Sequence, residues 1–199
     1  QALSIQPGYR EALTNLGNAF VLLGRPDRAD EIYAELLAGN PALADVYSNR
    51  LYAMLYQSNI SPQTIYQEHL RFGERYEAPL KPLWPRHAND RDAERRLKVG
   101  YVSADLRRHS VAYFVEPIWA HHDKGEVEVY AYYNAARDDE VTARLRACTD
   151  HWRACVGWPD EELAERIRAD GIDILVDLSG HTGKHRLLTF ARKPAPVQV

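Results

Sequence analysis

The sequence predicts two fold classes in succession: helical hairpins first, then a doubly wound parallel α/β sheet. Three observations carry this prediction. Small and large apolar residues keep a 34-residue helical register near the start, prolines and mixed charges fill 78–96, and from Leu97 short apolar runs alternate with amphipathic ones. A chain of 199 residues with 45% hydrophobic and 27% charged residues has an ordinary globular composition, which excludes disordered, collagenous and disulfide-scaffold classes. A formal charge of −3 excludes a strongly basic nucleic-acid binder. Cys148 and Cys155 are too few for a secreted framework and lack zinc-spaced partners, so a reducing cytoplasm is the expected compartment. The apolar stretches, such as 172–178, are short and carry aspartates, so no membrane span is expected.

The helical part comes first. From Arg10, the residues Leu16, Gly17, Phe20, Gly24, Ala29, Tyr33, Leu36 and Pro41 stand where two antiparallel helices must interlock, which is the 34-residue tetratricopeptide pattern. Gly17 permits close approach of the two helices, Gly24 relieves the turn, and Pro41 ends the second helix. Pro7 lies 34 residues before Pro41, and Ala2 and Leu3 fall where the last helix of a preceding repeat would end. Because one repeat cannot bury its apolar face and about three are needed, the chain is expected to begin inside a longer helical array. Over 45–77 the pattern stays helical, with Leu51, Leu55, Ile65, Leu70 and Phe72 on apolar faces, but the repeat signature degrades as in a terminal cap. Ser61-Pro62 reads as a helix start. The expected organisation is therefore a helical region at 1–77 with one full repeat at 10–43, a Pro-rich and charged connector at 78–96, and a truncated α/β domain at 97–199.

Strands are expected around 99–102, 127–133 and 172–178, the last apolar enough for a sheet covered on both faces. Helices fit between them. Over 159–169, Leu163, Ala164 and Ile167 face inward while Glu161, Glu162, Glu165, Arg166 and Arg168 face water, and Gly171 stops the helix. Such sheets take ligands outside the carboxyl ends of their strands. Two loops leave those ends with unusual polar content, 103–110 and 179–184, so His109 and His181 are predicted to share one rim although 72 positions separate them. An imidazole titrating near neutrality can exchange a proton or donate to a phosphate or sugar oxygen. Ser110 precedes an apolar helix whose first amides favour an anionic diphosphate, and it reads equally as a plain helix cap; Asp105 and Asp177 read equally as turn acceptors. His121, His122, His151 and His185 have no constellation around them. Neither loop holds a dinucleotide or Walker glycine pattern, and there is no nucleophile elbow, which disfavours dehydrogenase, nucleoside triphosphatase and serine hydrolase.

The succession of a tetratricopeptide array, a Pro-rich connector, Leu-Lys-Val-Gly-Tyr-Val-Ser-Ala-Asp-Leu-Arg-Arg-His-Ser-Val-Ala-Tyr-Phe at 97–114, the block at 170–182 and Phe-Ala-Arg-Lys-Pro-Ala-Pro-Val-Gln-Val at 190–199 resembles the bacterial relatives of O-GlcNAc transferase and the plant SPINDLY proteins. The resemblance implies a Rossmann-like first half of a GT-B glycosyltransferase with no cofactor or metal. The implied donor is UDP-GlcNAc, and the implied acceptors are Ser or Thr of proteins recruited along the concave face of the repeats. It assigns the active-site histidine of the Asp-x-x-x-His-Ser motif, with a role in acceptor activation, to His109. Asp105, Ser110, Gly180, His181 and Thr182 become donor-cleft candidates. His185 stands where many relatives have Asn before Arg-Leu-Leu, so no contact is carried over to it. In the family a second lobe supplies most donor contacts, so this polypeptide alone is expected to be inactive while its parent transfers sugar. Two readings keep the fold and change the chemistry, fucose transfer from a guanine nucleotide or glucose transfer to asparagine. A reading of another class is a protein-interaction platform without catalysis. No nucleic-acid or membrane partner is implied.

Overall fold

The computed structural model describes residues 2–6, 8–92 and 94–199; Gln1, Pro7, which the repeat register pairs with Pro41, and Ala93 of the charge run lie outside the described residues. The chain divides into two compact units, Gln1–Pro79 and Leu80–Val199.

The first unit is helical: α1 (Ala2–Ile5), α2 (Arg10–Leu22), α3 (Pro26–Gly39), α4 (Ala44–Met54) and α5 (Pro62–Tyr76). Helix α4 restarts 34 residues after α2. Within the α2–α3 hairpin, Gly17 admits the ring of Tyr33 so closely that a Cβ at position 17 would lie 2.5 Å from Tyr33 Cε1. That ring is fully buried, and its hydroxyl donates to Asn18 Oδ1 at 2.7 Å. Gly24 makes the turn at φ +69°, a left-handed conformation that costs a side chain about 1–2 kcal/mol. The turn between α4 and α5 is longer, so α5 starts 36 residues after α3. Ser61 caps α5 by accepting from the Thr64 amide at 3.1 Å, with Pro62 in the first turn. Ala29, Tyr33, Val46, Tyr47, Leu51 and Met54 form the core of this unit.

The second unit is a five-stranded parallel sheet in the order β3-β2-β1-β4-β5. Its strands are β1 (Leu97–Ser103), β2 (Val127–Tyr133), β3 (His151–Ala154), β4 (Ile174–Asp177) and β5 (Val197–Gln198). The helices are α6 (Ser110–His121), α7 (Glu140–Ala147), α8 (Asp160–Asp170) and α9 (Leu187–Phe190). Alternation along the strands explains the two layers of core. Val99, Tyr101, Val129, Ala131 and Tyr133 meet Val115 and Trp119 of α6 and Leu145 of α7 on one face. Val102, Tyr130, Tyr132 and Leu175 meet Leu163 and Ile167 of α8 on the other. Gly100 lies on that second face, where an added Cβ would come within 3.0–3.2 Å of Leu175, Tyr132 and Ile172. Helix α8 ends at Gly171, φ +70°.

Strands β3 and β5 were not expected. Strand β3 is an edge strand whose His151, Trp152 and Arg153 are half-buried, so it carries no apolar run; it is held by parallel pairing to β2 and by stacking of His151 on Tyr130 at 4.1 Å. The expected connector also differs. A 3-10 turn at Ala78–Leu83 leads into a segment that docks on the sheet unit through polar side chains. The Trp84 indole donates to the Ala191 carbonyl at 2.8 Å, Asn89 Nδ2 donates to Asp173 Oδ1 at 2.6 Å, and Arg95 grips both oxygens of Asp173. Residues from Leu80 onward therefore belong to the second unit, ahead of the expected boundary near Arg96.

Candidate active site

In the sheet order the chain runs outward from β1 through β2 to β3, then returns to β4 on the other side of β1. Ligands of doubly wound sheets bind at the crevice where this reversal occurs, outside the carboxyl ends of the strands. Here that crevice is bounded by β1 and β4, paired with Val102 opposite Asp177. The two polar loops predicted to share a rim leave these two neighbouring strands.

The loop after β1 is held from inside. Ser103 Oγ accepts from the Asp105 amide at 2.9 Å, and the buried Asp105 takes Arg107 Nη2 on Oδ1 at 3.1 Å while its Oδ2 lies 3.9 Å from His109 Nδ1. The Arg108 amide donates to Asp139 Oδ2 at 2.8 Å, and its guanidinium pairs with Glu140. Asp139 also forms a capping box with Thr142, so the amino terminus of α7 anchors this loop. His109, with extended backbone at φ −154°, is the N-cap of α6, a role the sequence reading gave to Ser110; Ser110 is instead the first helical residue and is exposed. Through Nδ1, His109 accepts from the Val111 amide at 3.4 Å, so one of the helix's free amides is already engaged. In the neutral ring this arrangement leaves the proton on Nε2. The His109 side chain is 39% exposed and lines a cavity of about 410 Å³ with Tyr113, Glu116, Glu140 and Arg144.

The loop after β4 is a tight turn around Asp177. Its two oxygens accept from the amides of Ser179 at 3.1 Å and Gly180 at 2.7 Å. Burial raises the Asp177 carboxyl above its ordinary 3.8, and the two amide hydrogen bonds only partly oppose it. Thr182 Oγ1 donates to the Ser179 carbonyl at 2.7 Å, which places the Thr182 hydroxyl inside the turn. Gly180 supplies φ +54°, and Lys184 adopts φ +62° without being glycine. His181 and His185 lie edge to face with ring centres 6.1 Å apart.

Sequence reasoning missed Asn134. This buried residue follows β2; its amide donates to the Ser103 carbonyl at 2.9 Å and its Nδ2 to the Lys184 carbonyl at 2.9 Å. It thereby ties the end of β1 to the loop after β4 and holds the strained Lys184 in place. A polar residue directly after an apolar strand was the available signal. Among the described residues no three His, Cys, Asp or Glu side chains converge as a metal site, and no helix is long and apolar enough to cross a membrane.

The profile of glycosyl transferase family 41 matches residues 54–199. A rice protein described as a probable UDP-N-acetylglucosamine–peptide N-acetylglucosaminyltransferase SPINDLY is 35% identical over 173 residues, 85% of this chain and 19% of its own length. A Caenorhabditis elegans UDP-N-acetylglucosamine–peptide N-acetylglucosaminyltransferase is 35% identical over 106 residues, 52% of this chain and 9% of its own. Among solved structures, a lysine-to-methionine mutant of Thermobaculum terrenum O-GlcNAc transferase superposes with a TM-score of 0.92 at 43% identity, covering 99% of this chain and 38% of that one. The chain thus spans about a fifth of the length of the plant relatives it matches.

Proposed function

This chain belongs to glycosyl transferase family 41, and from that premise we propose that it supplies one wall of the cleft in which a longer protein transfers N-acetylglucosamine from UDP-GlcNAc to Ser or Thr of other proteins. The observation that carries this reading is the pair of polar loops leaving β1 and β4 at the reversal of strand order, the first of which ends in His109, the N-cap of α6. The named activities of the relatives support it, and so does the chain's covering 38% of the solved transferase, which leaves room for an opposing lobe. The helical hairpins are the surface for protein acceptors, and the cytoplasm is the compartment. No cofactor or metal takes part in the proposed reaction.

His109 acts in this reading through Nε2. With Nδ1 accepting from the helix amide, the neutral ring presents an N–H and donates to an oxygen of the leaving diphosphate or of the sugar. The amide of Ser110 and the dipole of α6 add to the same charge stabilisation. Such stabilisation counts most where a diphosphate must depart, and it requires groups on both sides of the cleft. The 199-residue chain by itself is therefore expected to show no turnover.

The test replaces His109 by Ala in the full-length protein and measures transfer of labelled sugar to acceptor protein. A fall in kcat on the order of a hundredfold is expected, with stability lowered by no more than the loss of one helix cap, about 1 kcal/mol. Unaltered turnover ends the assignment of His109. Supplying UDP-GlcNAc and GDP-fucose in parallel reads the donor, and exclusive use of the guanine nucleotide would replace N-acetylglucosamine by fucose.

A further inference from the structure

The amino-terminal end of the sheet, opposite the rim, carries a cavity of about 800 Å³ that the proposed transfer does not use. Its apolar lining comes from Leu97, Ile174 and Val197, near the starts of three adjacent strands, with Pro85 and Pro196 beside them. A smaller cavity of about 360 Å³ shares Asn89, Asp90, Arg95 and Asp173 with it and adds Lys98 and Arg168. The wall between them is fixed. Asp173 is buried, and its oxygens are occupied by Arg95, Asn89 and the Lys98 amide at 2.5–2.9 Å.

Charge is unevenly satisfied here. Asp173 is matched by Arg95, and Asp90 Oδ1 accepts from the Asp92 amide at 3.0 Å. Arg86 and Arg91, which also line the larger cavity, have no hydrogen-bond or ion-pair partner among the described residues. Half-buried His87 is held below its ordinary 6.5 by burial and then by the charges of Lys193 and Arg168, as expected in positive surroundings. Three guanidinium groups, Arg86, Arg91 and Arg95, therefore face two carboxylates, Asp90 and Asp173, beside an apolar floor.

Cavities of roughly 300–1,000 Å³ with mostly apolar walls and a few converging polar groups are the usual form of small-molecule sites. A guanidinium is suited to a carboxylate or phosphate because its fork can meet two oxygens at once. We infer that this cavity is a binding site for a small organic anion, one phosphate or carboxylate on an aromatic or aliphatic body. Arg86 and Arg91 hold the anion, and Leu97, Ile174 and Val197 support the body. Strand β1 spans about 20 Å, so such a ligand sits well away from the β1–β4 rim and is distinct from the sugar nucleotide.

The test uses this chain with 8-anilinonaphthalene-1-sulfonate as the anionic probe and N-phenyl-1-naphthylamine, which lacks the sulfonate, as its neutral counterpart. Fluorescence titration is combined with amide chemical-shift mapping, because exposed Tyr113 and Phe114 of α6 also offer apolar surface. Shifts are expected at 86–91, 97, 174 and 197. Arg86→Gln/Arg91→Gln should weaken the sulfonate probe about tenfold, leave the neutral probe unchanged and leave the melting temperature unmoved. Equal affinity of the sulfonate for wild type and variant, equal affinity of the two probes, or shifts confined to α6 would overturn the inference. Phenyl phosphate should displace the probe more readily than an acetylated Glu-Leu-Glu-Leu-Glu peptide does. The reverse order would assign the groove to a protein partner and overturn the small-molecule site.

Discussion

Gly17→Ala probes the contact on which the α2–α3 hairpin depends. The new methyl would lie 2.5 Å from Tyr33 Cε1, 2.6 Å from Cζ and 2.9 Å from the hydroxyl oxygen, against an ordinary carbon–carbon separation of about 3.5–4.0 Å. The ring cannot swing into solvent, since Tyr33 is fully buried and bonded to Asn18. Overpacking of this kind costs about 1–3 kcal/mol. Loss of the Tyr33–Asn18 hydrogen bond adds about 1 kcal/mol, and the better helix propensity of alanine returns about 1 kcal/mol. The net cost is therefore about 1–3 kcal/mol. In a urea titration of the whole chain followed by circular dichroism at 222 nm, the transition of the helical unit should move down by about 1 M. Gly17→Ala introduced into a Tyr33→Leu background should be neutral or stabilising, because the clashing ring is gone. A Gly17→Ala single variant as stable as wild type would show that the ring has room, and would refute the close-approach argument.

Two carboxylates at opposite ends of the sheet should respond to pH in opposite senses. Burial would raise the Asp173 carboxyl, but the Arg95 guanidinium, the Lys98 amide and Asn89 together hold it below its ordinary 3.8. The stability it contributes is complete above 3.8 and is lost as the pH falls through the lowered value, so thermal unfolding of Asp173→Asn should show a deficit at neutral pH that closes in strong acid. Asp177 is shifted the other way by burial, so the folded chain retains its proton where the unfolded chain has released it. Its stabilising contribution therefore declines as the pH rises above 3.8 through the raised value, and Asp177→Asn should gain on wild type over that interval; a constant difference would contradict the assigned burial.

What was legible in the sequence followed from periodicity. The interlock of Gly17 with Tyr33, the cap at Ser61, the stop at Gly171 and the strands β1, β2 and β4 each leave a local pattern of apolar spacing or turn chemistry. That the two polar loops open at one end of the sheet was also legible, because parallel strands with intervening helices must send them there, whereas the neighbouring positions of β1 and β4 were not. Long-range polar docking was not. The Pro-rich composition of 78–96 reads as an extended connector, whereas Trp84, Asn89 and Arg95 bind partners 78–107 positions away. Likewise, Ser110 is the better cap by propensity, yet His109 occupies the cap because Asp105 and Asp139 fix the preceding loop. Strand β3 carries too few apolar residues to announce itself, and Asn134 shows its role only when its two acceptors come from different parts of the chain.

The pairing of Val99 with Ile174 sets the order in which the crevice is built during folding. Strands β1, β2 and β3 are successive and can zip as soon as each is synthesised, whereas β1 must keep its second edge open until a partner some 75 positions later arrives. Closing so long a loop is slow, and an open edge on an apolar strand invites the wrong neighbour. Nascent chains stalled between residues 160 and 175 should therefore be those most dependent on a chaperone, although most of the helical packing is already in place by then.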